Sequence, residues 1–134
     1  MSKRILVVDD NPYVADASAR LISLCGYETK TAYDGREALE QFASFAPHMV
    51  LMDIGMPKVD GYEAATRMRQ EEAGADVLLI AVTCWNQEQD KQRAYESGFD
   101  LHVPKPVSLA TLYDLLRMLH RGRHAQDTVA ACGS

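Results

Sequence analysis

The sequence predicts an α/β fold in which a doubly wound, mostly parallel sheet carries helices on both sides. Five short apolar runs rich in β-branched residues alternate with five longer segments that have helical spacing and helix-terminal residues. The first, third and fourth runs are apolar almost throughout, as expected for strands that are covered on both faces. These observations favour five β-strand and α-helix units in a single layered domain.

The predicted strands are the apolar runs themselves. They cover Arg4–Asp9, Tyr27–Ala32, His48–Asp53, Val77–Thr83 and Leu101–Val103. The fifth is short and is followed by Pro104, which has no N–H to donate to a neighbouring strand. We therefore expect the fifth strand to lie at an edge of the sheet.

The predicted helices are recognised by their capping residues. Asn11 followed by Pro12 indicates a helix N-terminus, and Asp34 followed by Glu37 resembles a capping box. The first helix ends before Gly26 and has apolar residues at helical spacing on one face, namely Val14, Ala17, Leu21 and Leu24. The second helix is predicted from Asp34 to Phe45. Three further helices are predicted from Gly61 to about Glu72, from Asn86 to Ser97, and after the cap Ser108, with an apolar face of Leu109, Leu112, Leu115, Leu116 and Leu119.

Length and charge exclude several classes of protein. The chain has 134 residues, 47% of them hydrophobic and 25% charged, so we expect one domain over residues 1–120 and a flexible tail over 121–134. A net charge of −5 argues against direct contact with nucleic acid. The three cysteines are widely spaced, so they indicate neither a zinc site nor a disulfide framework. The apolar run before Asp9 is too short for membrane insertion, and we expect a cytoplasmic protein.

Chemically active residues stand at the ends of four predicted strands. Ligands of open parallel sheets bind outside the carboxyl ends of the strands. Four strands deliver their polar residues to this edge, namely Asp9, Asp10, Asp53, Thr83 and Lys105. Two carboxylates about 4 Å apart repel by roughly 4 kcal/mol at an effective dielectric near 20, so three together favour a bound cation. Carboxylate oxygens suit Mg²⁺, and a metal beside a carboxylate and a lysine can hold a phosphoryl group.

The same residues resemble the receiver domain of two-component response regulators. The resemblance spans about residues 3–120 and is carried by four separated motifs: the pair Asp9-Asp10, the segment 52–57 with Asp60-Gly61, Thr83, and Lys105-Pro106. It implies a flavodoxin-like (βα)5 fold with strand order 2-1-3-4-5.

The resemblance also implies a role for each residue of the constellation. Asp53 would accept the phosphoryl group. Asp10 and Asp53 would bind Mg²⁺ directly, Asp9 largely through water, and Gly55 through its carbonyl. Lys105 would pair with the phosphoryl group, and Thr83 would move towards it on activation.

The implied partners are proteins of a phosphorelay. A sensor histidine kinase or a histidine phosphotransfer protein would dock near the first helix and the loop 105–107. A downstream protein partner would bind the face formed by the fourth helix, fifth strand and fifth helix. A dimer that depends on phosphorylation is left open.

His102, Gly55 and Trp85 are among the positions at which the sequence departs from the common family pattern. His102 stands where most members carry Tyr or Phe as a switch residue, so it is either the switch here or simply a half-exposed strand residue. Gly55 and Trp85 lie two residues beyond Asp53 and Thr83, where side chains tune the attack of water on the acyl phosphate. Gly55 cannot orient a water and Trp85 is large enough to cover the pocket, so we expect slow self-dephosphorylation. Trp85 as a surface aromatic is the alternative.

Other functions fit the sequence less well than that of a receiver domain. An Mg²⁺-dependent phosphatase with an aspartyl nucleophile needs a second acid two residues after the nucleophile, and neither Asp53 nor Asp9 has one. A nucleotide- or flavin-binding module would need a glycine-rich loop after the first strand. A receiver used only as a docking surface would not need the intact acids. The chain is either a stand-alone regulator, not itself an enzyme acting on other molecules, or a receiver excised from a hybrid sensor histidine kinase.

Overall fold

The computed structural model describes residues 3–54, 61–71, 76–83, 88–105 and 107–121, with only the backbone described for 88–91, 120 and 121. Strands and helices alternate along the chain. The strands are β1 (Arg4–Val8), β2 (Glu28–Ala32), β3 (Met49–Asp53), β4 (Leu78–Thr83) and β5 (Leu101–Pro104). The helices are α1 (Pro12–Leu24), α2 (Gly35–Phe45), α3 (Gly61–Gln70), α4 (Glu88–Glu96) and α5 (Leu109–Arg121).

All described strands pair in parallel in the order β2-β1-β3-β4-β5, as predicted. The three strands with continuous apolar sequence, β1, β3 and β4, are therefore the central ones, and β3 and β4 are buried at every residue. The polar β2 and the short β5 form the two edges. The predicted edge position of β5 is confirmed, with Pro104 as its last, exposed residue.

The sheet separates two hydrophobic cores, because successive residues of a strand point to opposite faces. From β1, Ile5 and Val7 pack with residues of α1 and α5, whereas Leu6 and Val8 pack with residues of α2, α3 and α4. Helices thus cover both faces, and the carboxyl ends of the strands meet at a single edge.

Side-chain caps start three of the helices where the sequence predicts them. Asn11 Oδ1 accepts hydrogen bonds from the amides of Tyr13 and Val14, and Asp34 Oδ1 accepts from the amide of Glu37 at 2.8 Å. Ser108 Oγ accepts from the Thr111 amide at 3.1 Å. α3 ends at Gln70, slightly before the predicted end, and Asn86, the predicted start of α4, lies outside the described residues.

The apolar stripe noted on α1 does not face the core. Val14 and Leu21 are about half exposed and Leu24 is 77% exposed, while Ala15, Ala19 and Ile22 are the residues that α1 buries. On α5, Leu109 is also half exposed, whereas Leu112, Leu115, Leu116 and Leu119 are buried as predicted. α1 is apolar on two faces, and helical spacing alone cannot tell which face meets the sheet.

Ala46 at the end of α2 has a left-handed backbone with φ of 49°, a conformation that favours glycine. We expect Ala46→Gly to raise the free energy of unfolding by about 0.5–1 kcal/mol, because it relieves this strain. Urea denaturation measures the change. The matched control is Ala43→Gly at an exposed position inside the same helix, which should lower the free energy by about 1 kcal/mol. A loss of stability in both variants would contradict the argument.

Arg69 joins three elements at the amino-terminal edge of the sheet. Its guanidinium donates to the carbonyls of Gly98 and Val77, both at 2.8 Å, and to Asp100 Oδ2 at 2.6 Å. Asp100 Oδ2 also accepts the Leu79 amide at 2.9 Å. The side chains of Arg69 and Asp100 are only 20% and 12% exposed. This arrangement, the Arg69–Asp100 clasp, ties α3 to the starts of β4 and β5.

His48 provides a pH-dependent contribution at the same edge. Its Nδ1 accepts the Arg4 backbone N–H at 2.9 Å, and burial together with the charges of Arg4 and Lys3 lowers the pKa of His48 below its usual value. The unfolded chain therefore takes up this proton more readily than the folded one. The resulting stability is complete above about pH 6.5 and is lost as the pH falls towards the lower folded pKa.

We expect His48→Asn, which keeps an acceptor near the same place but does not ionise, to retain more of its stability than the wild type between about pH 7 and pH 5. Urea midpoints recorded across this range measure the difference between the two proteins. Parallel pH profiles would contradict this role of His48.

Candidate functional site

Main-chain hydrogen bonds continue beyond the strand ends and position the residues that follow. The Asp9 amide donates to the carbonyl of Ala32 at 3.1 Å, and the Ile54 amide donates to that of Val82 at 3.2 Å. On the other side, the Lys105 amide donates to the Thr83 carbonyl at 2.8 Å. The main chain at Asp9, Ile54 and Lys105 is therefore held in place by the neighbouring strands.

Lys105 connects two carboxylates that come from different strands. Its Nζ lies 2.9 Å from Asp53 Oδ2 and 3.4 Å from Asp9 Oδ2. Asp9 and Asp53 are 5% and 7% exposed, so both charges are largely removed from water. A cation shared between buried carboxylates offsets their mutual repulsion.

A third carboxylate, Asp10, completes the cluster from the exposed side. One carboxylate oxygen from each of Asp9, Asp10 and Asp53 lies within 4.8 Å of the others. Oxygen ligands at this spacing, open to solvent on one side, fit Mg²⁺, which binds a few carboxylates and keeps several waters. The donor set thus fits the metal predicted from the sequence.

The ionisation of the cluster reflects burial and charge together. Burial raises the pKa of Asp9, and the charge of Asp53 adds to this, although the Asn11 amide and Lys105 act in the opposite direction. Partial burial alone would lower the pKa of Lys105. The hydrogen bond and charge of Asp53, with the charge of Asp9, outweigh it, so the pKa of Lys105 is raised and the ammonium stays charged.

The structure brings the predicted acids and lysine together. Thr83 is 3% exposed at the end of β4, just beyond Val82, the residue paired with Asp53. His102 is half-buried on β5 opposite Ala81, so it lies on the same face of the sheet as Thr83. The predicted positions Gly55 and Trp85 lie outside the described residues.

Gly61 allows α3 to begin directly against the acidic cluster. A Cβ atom at this position would lie 2.7 Å from the Ile54 Cα and 3.1 Å from the Asp53 carbonyl oxygen. Such contacts are too short for any side chain, so the glycine permits this close approach of two backbones.

A groove of about 640 Å³ leads from the cluster along α1 and α5. It is lined mainly by apolar side chains, and Asp9, Asp53 and Lys105 also belong to the lining. The lining includes Tyr13, Val14, Ala17, Leu21, Val107 and Leu109. The spacing of Val14, Ala17 and Leu21 predicted an apolar stripe on α1, but it did not predict that the stripe is exposed and lines a groove beside the acidic cluster.

Comparison with known proteins agrees with this arrangement. Residues 5–117 match the family described as "Response regulator receiver domain". The response regulator MprA of Mycobacterium ulcerans is 36% identical over 131 residues, which cover 98% of this chain and 56% of that protein. The DNA-binding dual master transcriptional regulator RpaA of Synechocystis is 31% identical over 118 residues, or 88% of this chain and 49% of that protein. The chain spans about half the length of these relatives.

Solved structures show the same fold. A CheY-like receiver domain protein from Methanospirillum hungatei superposes with a TM-score of 0.82 at 25% identity, covering 96% of this chain and 98% of that one. The chemotaxis protein CheY4 of Vibrio cholerae superposes with a TM-score of 0.84 at 25% identity, covering 89% of this chain and 99% of that one.

Among the described residues, no helix combines the length and apolar character needed to cross a bilayer.

The flavodoxin-like fold, the strand-end acids joined by Lys105 and the match over residues 5–117 lead to one conclusion. This chain belongs to the response regulator receiver domain family of two-component signalling.

Proposed function

We propose that the chain is a switch that accepts a phosphoryl group on Asp53 in a two-component phosphorelay. The observation that carries the proposal is the contact of Lys105 Nζ with Asp53 Oδ2 at 2.9 Å, inside a cluster of three carboxylates. A buried carboxylate paired with an ammonium and adjoining a cation site has the parts needed for phosphoryl transfer.

In the proposed step, a carboxylate oxygen of Asp53 attacks the phosphorus of a donor phosphohistidine. A P–O bond forms as the P–N bond breaks, and the imidazole nitrogen leaves with the bonding electron pair. Lys105 stabilises the charge on the phosphoryl oxygens. Asp10 and Asp53 would hold Mg²⁺ directly, with Asp9 acting through water and the Gly55 carbonyl as a further ligand. When bound, Mg²⁺ neutralises the charge of the transferring group.

The apolar groove supports the predicted docking place of the donor. Val14, Ala17, Leu21 and Leu24 follow a spacing of three and four residues, the spacing with which a helix contacts a partner helix. Their exposure, and the presence of Asp53 in the lining of the adjoining groove, fit a histidine kinase or histidine phosphotransfer protein whose helix carries the phosphohistidine.

The proposed conformational signal passes through the core on the other face of the sheet, which α2, α3 and α4 cover. Thr83 would move towards the phosphoryl group, and His102, on the same sheet face, would respond as the switch residue. A downstream protein would bind the surface of α4, β5 and α5, where Tyr95 and Tyr113 are half exposed. We expect no nucleic-acid contact by the receiver itself, and a cytoplasmic location.

Incubation with acetyl phosphate and MgCl₂ tests the proposal by intact mass. The wild type should gain one phosphoryl group that hydroxylamine removes, and Asp53→Asn should gain none. Asp76→Asn is the matched control, since Asp76 is an exposed carboxylate just before β4, at the opposite edge of the sheet. Modification of Asp53→Asn, or none of the wild type, would refute phosphorylation at Asp53.

The lifetime of the phosphorylated state is a separate prediction. We expect the double variant Gly55→Asn with Trp85→Glu to lose its phosphoryl group faster than the wild type, because polar side chains at these positions can orient an attacking water. Decay of the phosphorylated mass after removal of acetyl phosphate measures the rate. Equal decay would reject the shielding role of Gly55 and Trp85.

A further inference from the structure

Asp9 is held by the residue two positions further along the chain. The backbone N–H of Asn11 donates to Asp9 Oδ1 at 2.9 Å, while Asp9 Oδ2 faces Lys105 Nζ at 3.4 Å. One oxygen of this buried carboxylate is therefore tied to the main chain. The orientation of the other depends on where the Asn11 peptide lies.

The side chain of Asn11 fixes that peptide in turn. Its Oδ1 accepts the amides of Tyr13 at 3.0 Å and Val14 at 3.4 Å, and its carbonyl accepts the Ala15 amide at 3.0 Å. Asn11 has extended backbone dihedrals, φ −89° and ψ 106°, as expected for a residue that caps a helix. The first turn of α1 and the Asp9 carboxylate are thus joined through one residue.

We propose that Asn11 is a positioning residue for divalent-cation binding, acting through Asp9. The inference rests on the proposed function, because it concerns the cation that the three acids would hold. Without its side-chain acceptor, the amides of Tyr13 and Val14 turn to water, and the peptide that orients Asp9 is released. Asp9 then leaves the arrangement in which its oxygens meet those of Asp10 and Asp53.

The same link places cation binding under the influence of α1. Tyr13 is 83% exposed and Val14 is 45% exposed, and both line the groove beside the cluster. The turn that holds Asp9 therefore borders the groove where the proposed phosphoryl donor would dock.

Calorimetry with MgCl₂ on the intact chain tests the inference. Asn11→Ala should raise the Mg²⁺ dissociation constant about tenfold, the usual effect of losing a residue that orients a metal ligand. Asn11→Ser, which keeps an uncharged capping acceptor, should restore it to within about twofold of the wild type. Asp34→Ala is the control, since it removes the equivalent cap of α2. It should leave the Mg²⁺ dissociation constant within about twofold in about 150 mM salt, where distant charges are screened.

Circular dichroism and urea denaturation confirm that each variant is folded before its affinity is measured. An unchanged Mg²⁺ dissociation constant in Asn11→Ala overturns the inference, and so does an equal loss in Asp34→Ala, which would reduce the effect to helix stability. Failure of the wild type to bind Mg²⁺ would instead refute the proposed function.

A second readout separates positioning from general damage. With acetyl phosphate, Asn11→Ala should need about tenfold more Mg²⁺ for half-maximal phosphorylation yet reach nearly the wild-type rate at saturation. A lowered maximal rate with an unchanged Mg²⁺ requirement would overturn the inference.

Discussion

Lys105→Met is expected to slow phosphorylation of Asp53 by acetyl phosphate about 100-fold at saturating Mg²⁺. The change removes the ammonium that lies 2.9 Å from Asp53 Oδ2, while nearly preserving the volume of the side chain. A charge placed where the phosphoryl oxygens develop negative charge contributes about this factor to a rate. The positive charge of Lys105 also offsets the repulsion between a phosphate donor and the three carboxylates of the site. Intact mass against time at a fixed acetyl phosphate concentration measures the rate.

Lys105→Arg is the matched control, because it retains the positive charge beside Asp53. We expect it to keep a larger share of the wild-type rate than Lys105→Met, with some loss because the guanidinium has a different shape. A wild-type rate in Lys105→Met would show that Lys105 serves only to balance the acids before phosphorylation.

Arg69→Met is expected to lower the free energy of unfolding by about 3 kcal/mol. It deprives Asp100 of its guanidinium partner and removes the donors that reach the Gly98 and Val77 carbonyls. Removing one member of a buried ion pair costs about 3–5 kcal/mol, and the partial exposure of these side chains places this pair at the lower end. Urea denaturation measures the loss.

Arg67→Met tests the same chemical change two residues away on the same helix. Arg67 pairs only with Glu63 among the contacts described for it, and both side chains are 55% exposed, so the cost should stay below about 1 kcal/mol. Combining Arg69→Met with Asp100→Asn should recover part of the loss, because no unbalanced carboxylate remains. Equal losses in the free energy of unfolding for Arg67→Met and Arg69→Met would show that the clasp stabilises the fold no more than an exposed ion pair does.

Local patterns predicted the framework of the molecule well. The apolar strands, the caps Asn11, Asp34 and Ser108, and the acids at strand ends are properties of short segments, and the parallel sheet then brings the strand ends together. The edge position of β5 followed from Pro104, because the nitrogen of proline has no proton to donate to a neighbouring strand. These features needed no knowledge of distant contacts.

Contacts between distant residues could not be predicted in this way. Arg69 and Asp100 are 31 positions apart, and neither shows a pattern that selects the other among the charged residues. The exposed side of α1 is a further example, because Val14 and Leu21 have the same spacing as a core-facing stripe. Which stripe faces the sheet depends on the volume that β1 and β2 leave free, and small residues such as Ala15 and Ala19 fit closest there.

The Arg69–Asp100 clasp and the His48 contact both lie where the strands begin, across the full length of the sheet from the acids. Substitutions at this edge of the sheet can therefore raise or lower the free energy of unfolding without altering the acidic cluster. The same separation offers protein engineers a place to stabilise the domain without changing the geometry of the acidic cluster.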